Sequence, residues 1–349
     1  MKKLIDLVKS RGFNPSSKIL QLTHCDMDGV VAVINMMNYV TDADNPNKYR
    51  YYLKNYDKID DFVVNTILKK NIEGGFEPDF VVITDISIKD KVAEYVSKKK
   101  KPTFIVLDHH PSALTLNDIA DNFFVDPENK KCGAEVTLDF IKGLGYSDND
   151  LDQLNKLATQ YDLWTWTDPK NRKFEVAGRK RGKAEMLNRL FYRYGWGTED
   201  MFINRWKDGW GKGFNQEEIE FLKKDYKEAE DQVTHVKETK HHIDNEIVLI
   251  VDCKIYVNDV AMAMKEDEDC GYKMCVFFNT YNNKISVRTS DDSNFNVGVA
   301  LNYLSERYDW LTTGGGHESA GGANITSIDR LDDFLDKLIQ EYYDDAMPF

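Results

Sequence analysis

Over roughly the first third of the chain, short unbroken apolar runs alternate with longer segments of helical period. KILQLTH, DFVVITD and TFIVLDHH read as buried strands, and GVVAVINMMNYV, DKIDDFVVNTILKK and IKDKVAEYVSKKK as the helices around them, the pattern a parallel α/β sheet requires. Residues 134–164 carry helical patterning, while 170–214 form an irregular section rich in Trp, Arg and Gly. From Glu217 the apolar positions Ile219, Leu222, Tyr226, Ala229, Val233 and Val236 recur at steps of three and four on a charged background, which predicts one long amphipathic helix. Beyond it EIVLIVD, KMCVFFNTY and KISVRTS read as strands, with YNN as a hairpin turn, NVGVALNYLSERY as a helix and TTGGGHESAGG as a loop. The expected fold class is α/β in two domains: an N-terminal parallel-sheet domain over 1–216, with 170–214 as an insertion, a helical connector over 217–243, and a smaller C-terminal α/β domain over 244–349.

Length agrees with this division, since 349 residues exceed the size at which single cores usually stop growing. The five cysteines include no CxxC pair, which suits a reducing compartment and predicts a cytoplasmic protein. No run is long and apolar enough to serve as a membrane span, and Asp6 interrupts the short apolar patch after the basic start, so no membrane partner is expected. Acidic residues outnumber basic ones, 59 to 46, and the formal charge of −13 opposes extensive binding along duplex nucleic acid. A short anionic substrate held by local positive charge is compatible with that balance.

Acidic residues or histidines end all three N-terminal strands, and ligands of open α/β sheets bind beyond the carboxyl ends of strands. In THCDMDG, an extended chain would point His24, Asp26 and Asp28 to one side, and Gly29 would let the backbone turn tightly. The next strands contribute Asp85, then Asp108, His109 and His110, and Asp162 stands among aromatic residues in ATQYDLWTW. Taken singly, a strand-end aspartate is most simply a helix N-cap. Taken as a set, crowded carboxylates require a cation, and imidazole with carboxylate but no thiolate favours Mn²⁺ over Mg²⁺ alone or structural zinc. Two ions fit the number of ligands better than one. Cys25 is assigned to packing, and His235, His241 and His242, on or near the charged helix, to solvent. In the C-terminal region, a glycine run is ordinarily a flexible turn, but GGG before His317 also lets backbone N–H groups approach an anion. The basic run GRKRGK and the nearby FYRYGW offer phosphate contacts and base stacking, with a solvated loop beside core aromatics as the equal alternative.

HCDMDG, TDIS, LDHH, QYDLW and GGGHESAGG together resemble the DHH/DHHA1 phosphoesterases, most of all their nano-RNase B branch, in order from about residue 20 to 325. The resemblance implies two Mn²⁺ ions, with Mg²⁺ as a substitute. One would be held by His24, Asp26 and Asp85, and the other by Asp28, Asp85, His109 and Asp162. It further implies that His110 faces the phosphate, that Asp108 orients a histidine, and that Arg288, Ser290, Asn296, Gly314, Gly315, Gly316 and His317 bind substrate. The leading expectation is a Mn²⁺-dependent exonuclease acting on short single-stranded oligonucleotides, RNA favoured, with a homodimer admitted. The alternatives are a 3′-phosphoadenosine 5′-phosphate phosphatase or cyclic or linear dinucleotide phosphodiesterase, a RecJ-like single-stranded DNA exonuclease, and a catalytically silent nucleotide-binding module.

Overall fold

The structure, a computed structural model, describes residues 1–56, 58–176, 179–194, 199–253, 256–265, 272–290 and 293–345. They fall into two compact units, Met1–Leu222 and Lys223–Phe349.

The first unit opens with helix α1 (Lys2–Ser10) and is built on a five-stranded sheet of β1 (Ile19–Thr23), β2 (Tyr49–Leu53), β3 (Phe80–Thr84), β4 (Thr103–Asp108) and β5 (Phe123–Val125). Every pair is parallel and the order is β2-β1-β3-β4-β5. Every residue of β1, β3 and β4 is buried, as expected where helices cover both faces. Helix α2 (Met27–Tyr39) packs with α6 (Gly133–Gly143) and α7 (Asn149–Asp162), and α6 also contacts β3 and β4. The other face is covered by α3 (Ile59–Phe62), a π-helical turn at Val63–Ile67, α4 (Asp90–Ser97) and α5 (Leu116–Ile119), whose Ile59, Val63, Ala93, Val96 and Leu116 join Leu20, Val81 and Phe104 in one core cluster.

Strands β2 and β5, absent from the sequence reading, lie at the two edges of the sheet. The first is mostly half-buried with the polar pattern YRYYL, and the second has three residues, so neither shows the apolar run that marks a central strand. The register aligns the carboxyl ends: Thr23 lies beside Thr84, Thr84 beside Leu107, and Asp108 beside Val125. The strand order reverses between β1 and β3, the position at which doubly wound sheets open a crevice.

The section read as irregular contains an antiparallel ribbon, β6 (Arg172–Val176) with β7 (Arg179–Gly182), then α8 (Lys183–Tyr194) and α9 (Glu199–Trp206). Its regularity is carried by buried aromatic and aliphatic side chains, including Leu187, Phe191, Phe202 and Trp206, spread over two short helices rather than one long period. Helix α10 (Gln216–Thr239) follows, with Leu222, Tyr226, Ala229 and Val236 buried along its stripe.

In the second unit, β8 (His241–His242), β9 (Ile247–Val251), β10 (Met274–Asn279), β11 (Lys284–Thr289), β12 (Leu311–His317) and β13 (Ala320–Ile325) form a mixed sheet in the order β12-β13-β11-β10-β9-β8. Only β9 and β10 pair in parallel. Side chains alternate between two cores: Ile247 and Leu249 face the helices α12 (Val297–Arg307) and α13 (Leu331–Asp345), and Val248 and Ile250 face α11 (Val257–Lys265) and Val236. TTGGGHESAGG is a β12–β13 hairpin rather than a loop. Two of its glycines explain why: a Cβ on Gly314 would stand 2.2 Å from Leu301 O, and one on Gly321 2.7 Å from Val297 Cγ1, so α12 lies directly on the hairpin backbone. Among the described residues, no helix is long and apolar enough to cross a membrane.

Candidate metal centre

The chain does not remain extended through His24–Asp28. It turns into α2 at Met27, and Asp26 becomes the N-cap, accepting a hydrogen bond from Gly29 N at 3.0 Å. The second oxygen of Asp26 lies 3.0 Å from His24 Nδ1. Asp28, in the first helical turn, is carried away from this pair towards α6. Its carboxylate accepts hydrogen bonds from the first two amides of that helix, Gly133 N at 2.7 Å and Ala134 N at 2.9 Å.

Gly29 has a different purpose from the tight turn expected of it. It lies within α2, and a Cβ there would stand 2.2 Å from the carbonyl oxygen of His24. Gly29→Ala is expected to destabilise the protein by about 1–3 kcal/mol through overpacking. It should also lower metal affinity, because α2 cannot back away without moving Asp26 and Asp28. Chemical denaturation and metal titration of this variant check both effects, and wild-type values in both would refute the packing argument.

Asp85 follows β3 with a φ of 55°, a conformation that costs an aspartate about 1–2 kcal/mol. Its amide donates to Leu107 O at 3.0 Å, locking the bend to β4. Gly133 permits the approach from the other side, since a Cβ on it would stand 2.4 Å from Asp85 Cβ. His109 is 1% exposed. Its Nε2 lies 3.3 Å from Asp85 Oδ1, 3.7 Å from Asp162 Oδ2 and 3.8 Å from Asp28 Oδ2.

Two groups of potential ligands result, His24 with Asp26 and Asp85, and Asp28 with His109 and Asp162, next to a third that joins Asp85 to Asp108, His109 and His110. Asp85 Oδ2, Asp162 Oδ2 and both ring nitrogens of His109 are buried without a hydrogen-bond partner. Leaving such atoms unsatisfied is costly, and a divalent cation satisfies carboxylate oxygens and a neutral imidazole together. The donor set therefore fits metal.

Electrostatics agree with this. Burial, and then the charges of Asp28 and Asp26, push Asp85 and Asp162 well above the usual carboxylate range. Burial acts the same way on Asp26, but the charge and hydrogen bond of His24 outweigh it and hold that group low. His109 is drawn down, first by burial and then by His110, and so favours the neutral form a metal ligand needs.

Asp108 is buried but not arranged as the others are. Its carboxylate accepts from His109 N at 2.8 Å, from His110 N at 3.4 Å and from Ser87 Oγ, and faces His110 Nδ1 at 2.8 Å. Burial alone would lower the His110 pKa, but Asp108 reverses that and raises it to about 9. His110 Nε2 in turn lies 2.8 Å from the hydroxyl of Tyr56. Tyr56, Ser87 and Gly133 are absent from the sequence reading. Ser87 stands within TDIS, Tyr56 follows an edge strand that gave no signal, and Gly133 begins a helix whose own N-cap residue, Cys132, supplies no capping hydrogen bond.

In the second unit, Arg288 on β11 has its Nε 3.1 Å from Asn258 Oδ1 and its Nη1 2.9 Å from Val287 O. Ser290 is buried. Asn296 is the N-cap of α12, its Oδ1 accepting from Val299 N at 3.0 Å, so that oxygen is already engaged within the fold. Gly314 and Gly316 meet neighbouring backbone, whereas Gly315 would meet nothing within 4 Å and is the glycine of the three that faces open space. The side chain of His317 lies outside the described residues. So do Gly178 and the side chain of Arg179 in GRKRGK, and Gly195 and Trp196 in FYRYGW. Arg181 is buried with its Nη1 3.4 Å from Glu185 Oε1, which removes it from any solvent-facing phosphate track. Phe191 is buried edge-on against Phe202, while Tyr192 is exposed.

Comparison with known proteins agrees with this architecture. No curated protein matches the chain. Solved structures with the same fold include a DHH-domain member of the s1p family of ribosomal proteins, at 14% identity over 97% of this chain and 88% of that one, TM-score 0.61. The pGpG-specific phosphodiesterase PggH from Vibrio cholerae is 15% identical over 94% of this chain and all (100%) of its own, TM-score 0.54. Exonuclease RecJ bound to manganese is 13% identical over 99% of this chain and 94% of its own, TM-score 0.52. At these identities the likeness concerns the fold. Family profiles add the sequence evidence: the DHH family N-terminal domain matches residues 18–161, which hold His24, Asp26, Asp28, Asp85, Asp108, His109 and His110, and the DHHA1 domain matches residues 249–344, which hold Arg288 and the glycine hairpin. With both profiles matched in order, and the strand-end cluster inside the first, the chain belongs to the DHH/DHHA1 phosphoesterase family.

Proposed function

We propose that the protein is a Mn²⁺-dependent phosphodiesterase that hydrolyses short oligonucleotides, RNA in preference to DNA, to mononucleotides. The observation that carries this reading is the convergence of Asp28, Asp85 and Asp162 on His109 Nε2, with buried oxygen and nitrogen atoms left unsatisfied. His24, Asp26 and Asp85 would hold one ion, and Asp28, Asp85, His109 and Asp162 the other. When bound, such a pair makes hydroxide available near neutral pH and stabilises charge at the attacking and leaving oxygens. Imidazole among the carboxylates favours Mn²⁺.

The remaining roles belong to the chain itself. The α6 amides hold the Asp28 side chain in place. Asp108 accepts from His110 Nδ1 and fixes the orientation of the ring, which would meet the anionic phosphate through Nε2. Arg288, steadied by Asn258, supplies a planar cation for a second phosphate. Among the described residues, the thiols of Cys25, Cys132, Cys253 and Cys275 are buried, which is in keeping with a reducing cytoplasm.

The overall charge of −13 supports short substrates, because phosphates beyond the site gain no attraction. Hydrolysis of end-labelled RNA and DNA, from dinucleotides to about 24-mers, should be fastest at about two to five nucleotides, the low end of single-groove site sizes. A chelator should stop it, and Mn²⁺ should restore it better than Mg²⁺ or Ca²⁺. Faster digestion of longer DNA, with a steep salt dependence, would replace this reading with a single-strand exonuclease. Turnover confined to one dinucleotide or to 3′-phosphoadenosine 5′-phosphate would narrow it to a nucleotide phosphodiesterase or phosphatase. Arg288→Ala should raise KM about tenfold or more while leaving bound manganese unchanged, and Arg288→Lys should recover only part of the loss. Loss of metal in either variant would contradict the assignment of Arg288 to substrate.

A further inference from the structure

Tyr56 closes a chain of hydrogen bonds at the edge of the metal-ligand cluster. Ser87 Oγ donates to Asp108, Asp108 Oδ1 faces His110 Nδ1 at 2.8 Å, and His110 Nε2 lies 2.8 Å from the Tyr56 hydroxyl. The segment bearing Tyr56 is tied to the end of β1 by Lys54 N donating to Thr23 O at 2.8 Å and by Cys25 Sγ donating to Asn55 Oδ1 at 2.9 Å. Its ring rests on two imidazoles, 5.1 Å from His24 and edge-on at 5.6 Å to His110.

Despite these contacts Tyr56 is 46% exposed. An aromatic ring fixed between two site histidines, yet leaving nearly half of its surface to solvent, is not accounted for by burial alone. The arrangement suits an amphipathic side chain with an apolar body on the protein and a polar tip at the site. The distance of 2.8 Å decides what that tip meets. The hydroxyl also lies 3.3 Å from His110 Nδ1, so it sits beside the imidazole, where an oxygen approaching Nε2 comes close to it. The tether to β1 and the two ring contacts oppose displacement.

We propose that on substrate binding the Tyr56 hydroxyl turns its single O–H to a non-bridging oxygen of the phosphate that His110 meets, its ring staying braced edge-on against the His110 imidazole. This rests on the phosphodiesterase reading for the identity of the substrate, but the phosphate contact can be measured separately. It makes Tyr56 a substrate-contacting residue drawn from the loop after β2, a part of the chain outside the recognised motifs.

The test uses the full chain loaded with Mn²⁺, comparing wild type, Tyr56→Phe, His110→Asn and the double variant. Binding of inorganic phosphate is measured by calorimetry, hydrolysis of a ribodinucleotide by steady-state kinetics, and bound manganese and melting temperature in parallel. Tyr56→Phe should weaken phosphate binding about tenfold or more, as expected for one hydrogen bond to an anion. It should lower kcat/KM on the order of 10²-fold, as for loss of one donor to a charged transition state, with manganese content unchanged. Because the Tyr56 ring is braced against His110 and both side chains serve one phosphate, the double variant should lose far less than the product of the single losses. Wild-type phosphate affinity in Tyr56→Phe, strictly multiplicative losses, or a defect that follows lost manganese would each overturn the proposal, as would absence of phosphate binding by the wild type. If phosphate binding depends on Tyr56 but the wild type cleaves no diester, the contact stands and the phosphodiesterase reading fails.

Discussion

Replacing Asp85 with asparagine is expected to abolish hydrolysis while making the metal-free protein more resistant to heat. The substitution keeps the side-chain shape, and asparagine tolerates the left-handed backbone at this position. It removes a carboxylate that stands in both proposed ligand sets, so the rate should fall on the order of 10³-fold or more, the equivalent of several kcal/mol. Stability should move the other way. Asp85 is pushed well above its usual range by burial and then by Asp28, Asp26 and Asp162. A carboxyl whose folded pKa is raised contributes stability in full below its unfolded value of about 3.9 and loses it as pH climbs through the folded value. Protonated aspartic acid closely matches asparagine, so the two proteins should melt together near that lower limit and diverge as pH rises, with the variant more stable. Each kcal/mol of relieved repulsion is worth about 2–4 °C in a domain of this size. Saturating Mn²⁺ should reverse the order. Thermal melts across pH, with and without metal, measure all of this, and a variant less stable than the wild type in chelator at neutral pH would refute the repulsion argument.

The second large effect separates two aspartates that sequence places in the same class. Asp28→Ala and Asp162→Ala should both eliminate turnover, but only the first should cost substantial stability without metal. Asp28 accepts the amides of Gly133 and Ala134, and its removal strands two buried N–H groups at about 1–3 kcal/mol each. Asp162 Oδ2 has no hydrogen-bond partner, and burial, with Asp28 and Asp26, already pushes its carboxyl upward, so its loss should be neutral or stabilising. Urea unfolding in chelator distinguishes them. Equal losses would mean that the helix amides of α6 do not depend on Asp28.

Much of this was legible because the strands that matter are central. A strand buried on both faces is written as a continuous apolar run, and the polar residue that ends it stands out, as with Asp85 after FVVIT and Asp108 at the end of TFIVLD. The parallel sheet and its crevice followed from three such runs separated by helical segments. β2 is half-buried along most of its length and β5 has three residues, so neither left a comparable mark, and Tyr56, which follows β2, went unseen with it.

The sequence alone therefore determined the fold class, the position of the candidate ligands at strand ends, and their chemical type, because each is a local property of pattern and composition. It did not determine partnership. His24, Asp26 and Asp28 are neighbours in sequence, yet the turn into α2 sends Asp28 to the amides of α6 and to His109 while leaving His24 with Asp26. Likewise GGG read as a flexible loop until α12 was found lying on it. Those outcomes depend on contacts between elements far apart in the chain. Only tertiary packing decides which hydrogen bonds a carboxylate has already made and which remain for a metal.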